Sequence, residues 1–175
     1  MPASIDFYFE LSSPYSYLAA RKIGDVAKLY DRAVHWWPIM LGVIFQTIQN
    51  WPFMEQPLKA DYTDLDERRM ARDTGPPVAP PVAGFPCASN VAARAIYWAV
   101  DQQDGADARR AVALFQAVSE RGQSITDAAA VGRVADAGGL DRATLIQAVA
   151  MPPVKDRQQA ANDRALAAGV CGAPF

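Results

Sequence analysis

The amino-acid sequence predicts an α/β fold that opens with a strand, a helix and a second strand. Residues 5–11 are aromatic and β-branched, which favours a strand. Ser13 followed by Pro14 is a typical helix start, and apolar residues recur at helical spacing over residues 17–30. Residues 34–39, again rich in aromatic side chains, predict a second strand. Because strand, helix and strand follow one another within a short stretch, they form a βαβ unit whose two strands should be parallel.

The middle of the chain is predicted to be helical. Residues 41–150 carry helical patterns and almost no strand pattern. Asp141 is a predicted helix start, and Gly138 followed by Gly139 predicts a helix stop. The proline-rich residues 74–86 predict a loop. The long segment after the second strand is therefore expected to be an all-helical insertion.

The last part of the sequence predicts one more helix and the start of a strand. The helix is expected over residues 154–168, and residues 172–175 predict the entrance to a strand. Two parallel strands alone make a poor core, so we expect C-terminal strands and a helix that this sequence lacks. The predicted organisation is discontinuous, with residues 1–40 and 154–175 in one incomplete domain and residues 41–153 in the helical insertion.

Composition and charge argue against several classes of function. Hydrophobic residues make up 51% and charged residues 21%, as in ordinary globular proteins. The 17 basic and 19 acidic residues give a net charge of −2, which argues against nucleic acid as a partner. His35 is the single histidine, so neither a multi-histidine metal site nor a serine–histidine relay is expected. We therefore predict no metal.

Cellular context is predicted from the cysteines and from the apolar segments. Cys87 and Cys171 stand far apart and form no CxxC motif, so both are expected to be reduced thiols whose role is left open. The N-terminus has no secretory signal pattern. The densest apolar stretch, residues 36–45, is too short to span a bilayer and contains Pro38. The sequence thus predicts a cytoplasmic protein with no membrane partner.

The most informative motif is Ser13-Pro14-Tyr15-Ser16 at the predicted strand-to-helix junction. Its position matches that of the Cys-Pro-x-Cys redox motif of thioredoxin-like proteins, with serine at both cysteine positions. A serine cannot exchange disulfides, but at a helix N-terminus it can help to stabilise a thiolate that another molecule supplies, such as glutathione. The simpler alternative is that Ser13 is an ordinary helix cap and Pro14 an ordinary first helical residue.

Four segments, taken in order, resemble one known family. Residues 7–18 resemble the opening of 2-hydroxychromene-2-carboxylate isomerases and of the related kappa-class glutathione transferases. Residues 50–52 together with 57–62 resemble the second segment of that family, and residues 152–155 and 169–174 resemble the third and fourth. The resemblance implies a thioredoxin-like domain interrupted by a large helical insertion.

The resemblance also implies a set of site residues. Ser13 corresponds to the catalytic serine that hydrogen-bonds the sulfur of glutathione, and Ala173 precedes an expected cis-proline. Without the resemblance, the simpler interpretation is that Asn50 is a turn residue and Lys59 a solvated helix charge. The glutathione-binding residues that the resemblance implies are Ser13, Pro14, Tyr15, Asn50, Lys59, Ala173 and Pro174.

The function that the resemblance implies is that of a glutathione-dependent isomerase. The expected cofactor is glutathione, the expected substrate is 2-hydroxychromene-2-carboxylate or a similar aromatic-degradation intermediate, and a homodimer is expected. A kappa-like transferase that forms a stable conjugate and a non-catalytic glutathione-binding module are the alternatives.

The sequence also departs from the family pattern at three places. Phe45 and Gln46 stand where a lysine suited to a substrate carboxylate is expected. Gln49 stands where a glycine is frequent, and the Gly-x-Asp-Arg segment that closes the family pattern does not follow residues 169–174 in this sequence. The first departure leaves the substrate open, and the third bears on how glutathione is held.

Overall fold

The computed structural model describes residues 3–75, 77–79, 85–102, 107–137 and 140–175. Within these ranges the chain forms two strands, nine α-helices, a 3-10 turn at Phe53–Glu55 and a π-helical turn at Gln116–Glu120. The strands are β1 (Ile5–Phe9) and β2 (Val34–Pro38). The helices are α1 (Pro14–Ala20), α2 (Ile23–Leu29), α3 (Leu41–Ile48), α4 (Pro57–Thr74), α5 (Asn90–Gln102), α6 (Asp107–Phe115), α7 (Ala128–Ala137), α8 (Arg142–Ala148) and α9 (Pro152–Ala167).

The two strands pair in parallel, as the βαβ pattern predicts. Phe7 of β1 lies opposite Trp36 of β2. Strand β1 ends two residues earlier than predicted, because Glu10 starts a turn in which the Ser13 N–H donates to the Glu10 carbonyl at 3.0 Å. The end of the chain returns to β1, where Tyr8 and Phe175 exchange both backbone hydrogen bonds, at 3.1 and 3.0 Å. The start of α1 is thus fixed directly after a strand.

The single helix predicted over residues 17–30 is wrong in its extent. The structure has α1 and α2 instead, separated by Arg21 and Lys22. The Lys22 N–H donates to the Ala19 carbonyl at 3.0 Å, an i→i−3 bond that tightens the chain into a turn. Val26, which the helical spacing places on the core face, is exposed. The apolar spacing therefore runs through the turn and does not mark where α1 ends.

Each face of the two-stranded sheet packs against helices. On one face Phe9 contacts Phe115, at 5.5 Å between ring centroids, in the larger core cluster. On the other face Tyr8 packs with Ala165 of α9 and Val170 in a smaller cluster. The larger cluster takes residues from β1 and from α5, α6, α7 and α8 together. Strand β1 and the helical segment therefore share one core.

Most of the predicted helix signals are found in the described residues. Residues 41–153 contain helices and no strand among those that the structure describes. The Asp141 carboxylate caps α8 by accepting from the Thr144 N–H at 2.7 Å. The predicted stop at Gly138 and Gly139, and Pro76 with residues 80–84 of the predicted loop, lie outside the described residues. In the described part of the chain, no helix combines the length and the apolar character needed to cross a membrane.

Candidate active site

Ser13, at the start of α1, makes hydrogen bonds both within its own helix and to a residue near the end of the described chain. Its Oγ accepts a hydrogen bond from the Ser16 N–H at 3.2 Å, so Ser13 is the helix cap that the sequence predicts. The same hydroxyl donates to the carbonyl oxygen of Ala173 at 3.2 Å. The Ala173–Pro174 peptide bond is cis, as the resemblance implies. The Ser13 hydroxyl is thus held between a helix start and a cis-proline turn.

A cavity of about 440 Å³ opens beside Ser13. This volume lies within the range of small-molecule sites, about 300–1,000 Å³. Part of its lining is formed by apolar side chains from the start of α3 to the 3-10 turn. They include Met40, Leu41, Phe45, Phe53 and Met54. Such a lining fits an aromatic or aliphatic ligand, and Ser13 adds a polar group to it.

The structure brings most of the predicted site residues to this cavity. Ser13, Pro14, Tyr15, Asn50 and Ala173 all contribute to its lining. Two predicted residues lie elsewhere. Pro174 lines a neighbouring groove along α1. The ammonium of Lys59 is exposed and lies 5.8 Å from the ring centroid of Phe53, outside the cavity lining.

Tyr15 and Asn50 are each held by a neighbouring residue. The Tyr15 hydroxyl donates to Oδ2 of Asp66 in α4 at 2.9 Å. Partial burial, followed by the Asp66 carboxylate, raises the pKa of Tyr15 to about 12. Tyr15 therefore remains a neutral hydrogen-bond donor at neutral pH. Oδ1 of Asn50 accepts from the Trp51 N–H at 2.8 Å, and Asn50 is an exposed residue of the cavity lining.

Glu10 is a cavity residue that the sequence analysis missed. It is 5% exposed, and its carboxyl group accepts three hydrogen bonds. Oε1 accepts from the Ser12 N–H at 3.2 Å and from the Ser89 hydroxyl, and Oε2 accepts from the Leu41 N–H at 3.1 Å. Burial raises the pKa of Glu10, against the lowering effect of these donors. An acidic residue directly after an apolar strand was the signal that could have identified it.

Both cysteines line the same cavity as Ser13. Cys87 is buried, Cys171 is exposed, and neither is in a disulfide. Burial, and next the negative charge of Glu10, raises the pKa of the Cys87 thiol, so Cys87 is a poor nucleophile at neutral pH. Among the residues with described positions, no three His, Cys, Asp or Glu side chains are grouped to hold a metal ion.

The backbone conformation of Gln49, at the end of α3, explains why glycine is frequent at this position of the family pattern. Its backbone is left-handed, with φ 56° and ψ 42°, a conformation that glycine adopts without steric cost. We expect Gln49→Gly to raise the free energy of unfolding by about 1 kcal/mol. Chemical denaturation checks this, with Gln46→Gly as the control. Gln46 is exposed inside α3, so its replacement should lower stability by about 1 kcal/mol. Equal losses in both variants would contradict the expectation.

Comparison with known proteins gives one family and several similar folds. The model of the DSBA-like thioredoxin domain matches residues 4–175. A selenomethionine structure of 2-hydroxychromene-2-carboxylate isomerase is similar with a TM-score of 0.84 and 25% identity, covering 97% of this chain and 82% of that chain. No curated protein matches the sequence.

Two bacterial proteins show the same fold at lower identity. A putative protein disulfide isomerase from Nitrosomonas europaea has a TM-score of 0.72 and 15% identity, covering 98% of this chain and 82% of that chain. The cytosolic disulfide reductase DsbM from Pseudomonas aeruginosa, solved with GSH, has a TM-score of 0.65 and 16% identity, covering 98% and 83%. These matches confirm the predicted thioredoxin-like fold.

Proposed function

Because this chain belongs to the DSBA-like thioredoxin domain family, we propose that it is a glutathione-dependent isomerase with Ser13 as its catalytic residue. Its substrate would be 2-hydroxychromene-2-carboxylate or a similar aromatic-degradation intermediate. The observation that carries the proposal is the Ser13 hydroxyl, which lies 3.2 Å from the Ala173 carbonyl in a residue that lines a largely apolar cavity. The similarity to a 2-hydroxychromene-2-carboxylate isomerase at 25% identity supports the same activity.

The residues of the cavity fit glutathione in their chemistry. The Ser13 hydroxyl can turn from the Ala173 carbonyl to a sulfur anion, and hydrogen bonds to charged acceptors are the stronger ones. Turning this hydroxyl away leaves the Ala173 carbonyl free to accept from an amide N–H of a peptide ligand. Asn50 is an exposed residue of the cavity lining and offers an amide group. Lys59 is proposed to contact a glutathione carboxylate from beyond the Phe53 ring.

Glutathione, when bound, would supply the thiolate nucleophile that adds to the conjugated substrate and is later released. The protein's part is to hold the sulfur as an anion and to orient the substrate. Ser13 donates to the sulfur. Phe45 and Phe53 provide ring surfaces on which an aromatic substrate can stack. The neutral Tyr15 hydroxyl has a single proton, which it donates to the Asp66 carboxylate. We therefore assign Tyr15 to the cavity wall and not to hydrogen bonding with the ligand.

We do not propose disulfide reductase activity for this chain, although disulfide reductases have the same fold. Ser13 and Ser16 occupy the positions of the redox cysteine pair, and neither hydroxyl can form a disulfide. A kappa-like transferase would use the same Ser13 site and differ in its product. The expected homodimer, the cytoplasmic location and the domain division at residues 40 and 153 stay predictions.

Product analysis tests the proposed function. The protein is incubated with glutathione and 2-hydroxychromene-2-carboxylate, and the products are separated by chromatography. We expect the trans-benzylidenepyruvate isomer together with undiminished free glutathione. A stable thioether would show a transferase instead, and glutathione binding without turnover of any electrophile would show a non-catalytic module. Both of these results would contradict the isomerase.

A further inference from the structure

Glu10 and Ser13 stand at the two ends of one tight turn beside the cavity. The Ser13 N–H donates to the backbone carbonyl of Glu10 at 3.0 Å, which closes the turn. Both residues line the cavity. The Glu10 carboxyl group is thus a proton-accepting group within the cavity where the proposed thiol would bind.

The hydrogen bonds of the Glu10 carboxyl group favour its ionised form, which can take up a proton. Its hydrogen-bond partners, the Ser12 N–H, the Leu41 N–H and the Ser89 hydroxyl, are all donors. No ion pair among the described residues includes Glu10. A buried carboxylate with donors but without a cation remains an acceptor whose affinity for a proton is raised by burial.

A thiol in this cavity senses the charge of Glu10. The Cys87 thiol, which lines the same cavity, has its pKa raised by burial and next by the Glu10 charge. The pKa of a bound glutathione thiol would be raised in the same way, because its anion and the Glu10 carboxylate would then share one apolar cavity. Moving the thiol proton onto Glu10 avoids this, since the cavity then holds one negative charge before and after the transfer. Tyr15 and Cys87 already hold their own protons, and Cys171 is the remaining titratable group of the described lining.

We propose that Glu10 is the internal base of the site, accepting the proton that glutathione loses when its sulfur becomes the anion held by Ser13. In this step the S–H bond breaks, a Glu10 O–H bond forms, and the proton returns to sulfur when glutathione leaves as a thiol. The proposal rests on the proposed glutathione site. It adds a second residue, outside the Ser-Pro-x-Ser motif, to the chemistry of that site.

Proton counting on glutathione binding tests the role of Glu10. The protein is titrated with glutathione at pH 7 by calorimetry in buffers of different ionisation enthalpy, and the thiolate is followed by its ultraviolet absorbance. For the wild type we expect a full thiolate signal with close to no proton released to the buffer. For Glu10→Gln, each thiolate formed should release about one proton. Glu67→Gln is the matched control, because burial raises the pKa of Glu67 as well, although Glu67 is less buried than Glu10, and Glu67 lines a different pocket.

The outcomes separate the two proposals. Wild-type release of one proton per thiolate, or binding without a thiolate signal, would overturn the role of Glu10 and leave the glutathione site standing. Absence of glutathione binding would overturn both. Because glutamine leaves one of the three donors without an acceptor, Glu10→Gln is less stable, and a second measurement on the wild type is needed. Infrared difference spectra should gain a protonated-carboxyl band on glutathione binding, and Ser89→Ala should shift that band by removing one donor. A wild type without the band would overturn the proposal.

Discussion

Replacing Ser13 by alanine is expected to lower kcat/KM of the proposed isomerase by about 10- to 100-fold while changing glutathione affinity only a few-fold. A hydrogen bond to a charged acceptor contributes about 1.5–3 kcal/mol, and each 1.4 kcal/mol is a tenfold change. The loss falls on the thiolate, because Ser13 offers its single O–H there, while the remaining glutathione contacts stay in place. Steady-state kinetics with calorimetric glutathione titration measures both quantities.

The rate of Ser13→Ala should also depend on pH differently from that of the wild type. The serine hydroxyl stabilises the sulfur anion, so it lowers the pKa of the bound thiol, and alanine should raise that pKa by about 1–2 units. The acid limb of the rate profile should therefore move to higher pH in Ser13→Ala. The deficit relative to the wild type should shrink as the pH rises, because both proteins then hold the thiolate.

Two controls separate chemistry from helix capping in Ser13→Ala. The alanine variant also loses the cap of α1, whose Ser16 N–H bonds to Ser13, at a cost of about 0.5–2 kcal/mol in stability. Asp141→Ala removes a comparable cap, from α8, and should lower stability without changing the rate per folded molecule. Ser13→Thr keeps the hydroxyl and should retain most of the activity. An unchanged rate in Ser13→Ala would remove Ser13 from the mechanism.

Local signals made much of the fold and part of the site predictable from the sequence. The caps at Ser13 and Asp141 depend on a side chain bonding a backbone N–H three residues later, so a few adjacent residues suffice to predict them. Strand β2 was predicted to within one residue of its end, because its aromatic and β-branched residues are consecutive in the sequence. The cis bond before Pro174 came from the family resemblance, since the residues around it carry no local signal for it.

The remaining features depend on contacts between distant residues. The Ser89 hydroxyl reaches Glu10 across 79 positions of sequence, so the contacts that bury Glu10 depend on residues far from it in the chain, and its place directly after an apolar strand is the one local signal for it. The break between α1 and α2 was missed because the apolar spacing of residues 17–30 continues through Arg21 and Lys22, where the backbone turns. Lys59 satisfies the family motif by position, yet its place outside the cavity lining is set by how α4 packs.

Phe9→Ala is expected to lower the free energy of unfolding by about 3–5 kcal/mol, a large share of the 5–15 kcal/mol typical of a domain. Phe9 is fully buried in β1, with its ring 5.6 Å from Trp36 in β2 and 5.5 Å from Phe115 in α6. Removing it leaves a cavity between the sheet and the helical segment. Tyr30→Ala is the control, because Tyr30 is 64% exposed and its loss should change stability by about 0.5 kcal/mol or less.

The same variant tests whether the helical insertion folds on its own. The division at residues 40 and 153 follows the order of the sequence, but Phe9 and Phe115 come from either side of it and share one core cluster. A shared core predicts a single transition, in which tryptophan fluorescence and far-ultraviolet circular dichroism coincide in the wild type and shift together in Phe9→Ala. A helical signal that kept its own midpoint in Phe9→Ala would instead show two independent folding units. In that case the Ser13 cavity, whose walls come from both segments, would depend on how the two units dock.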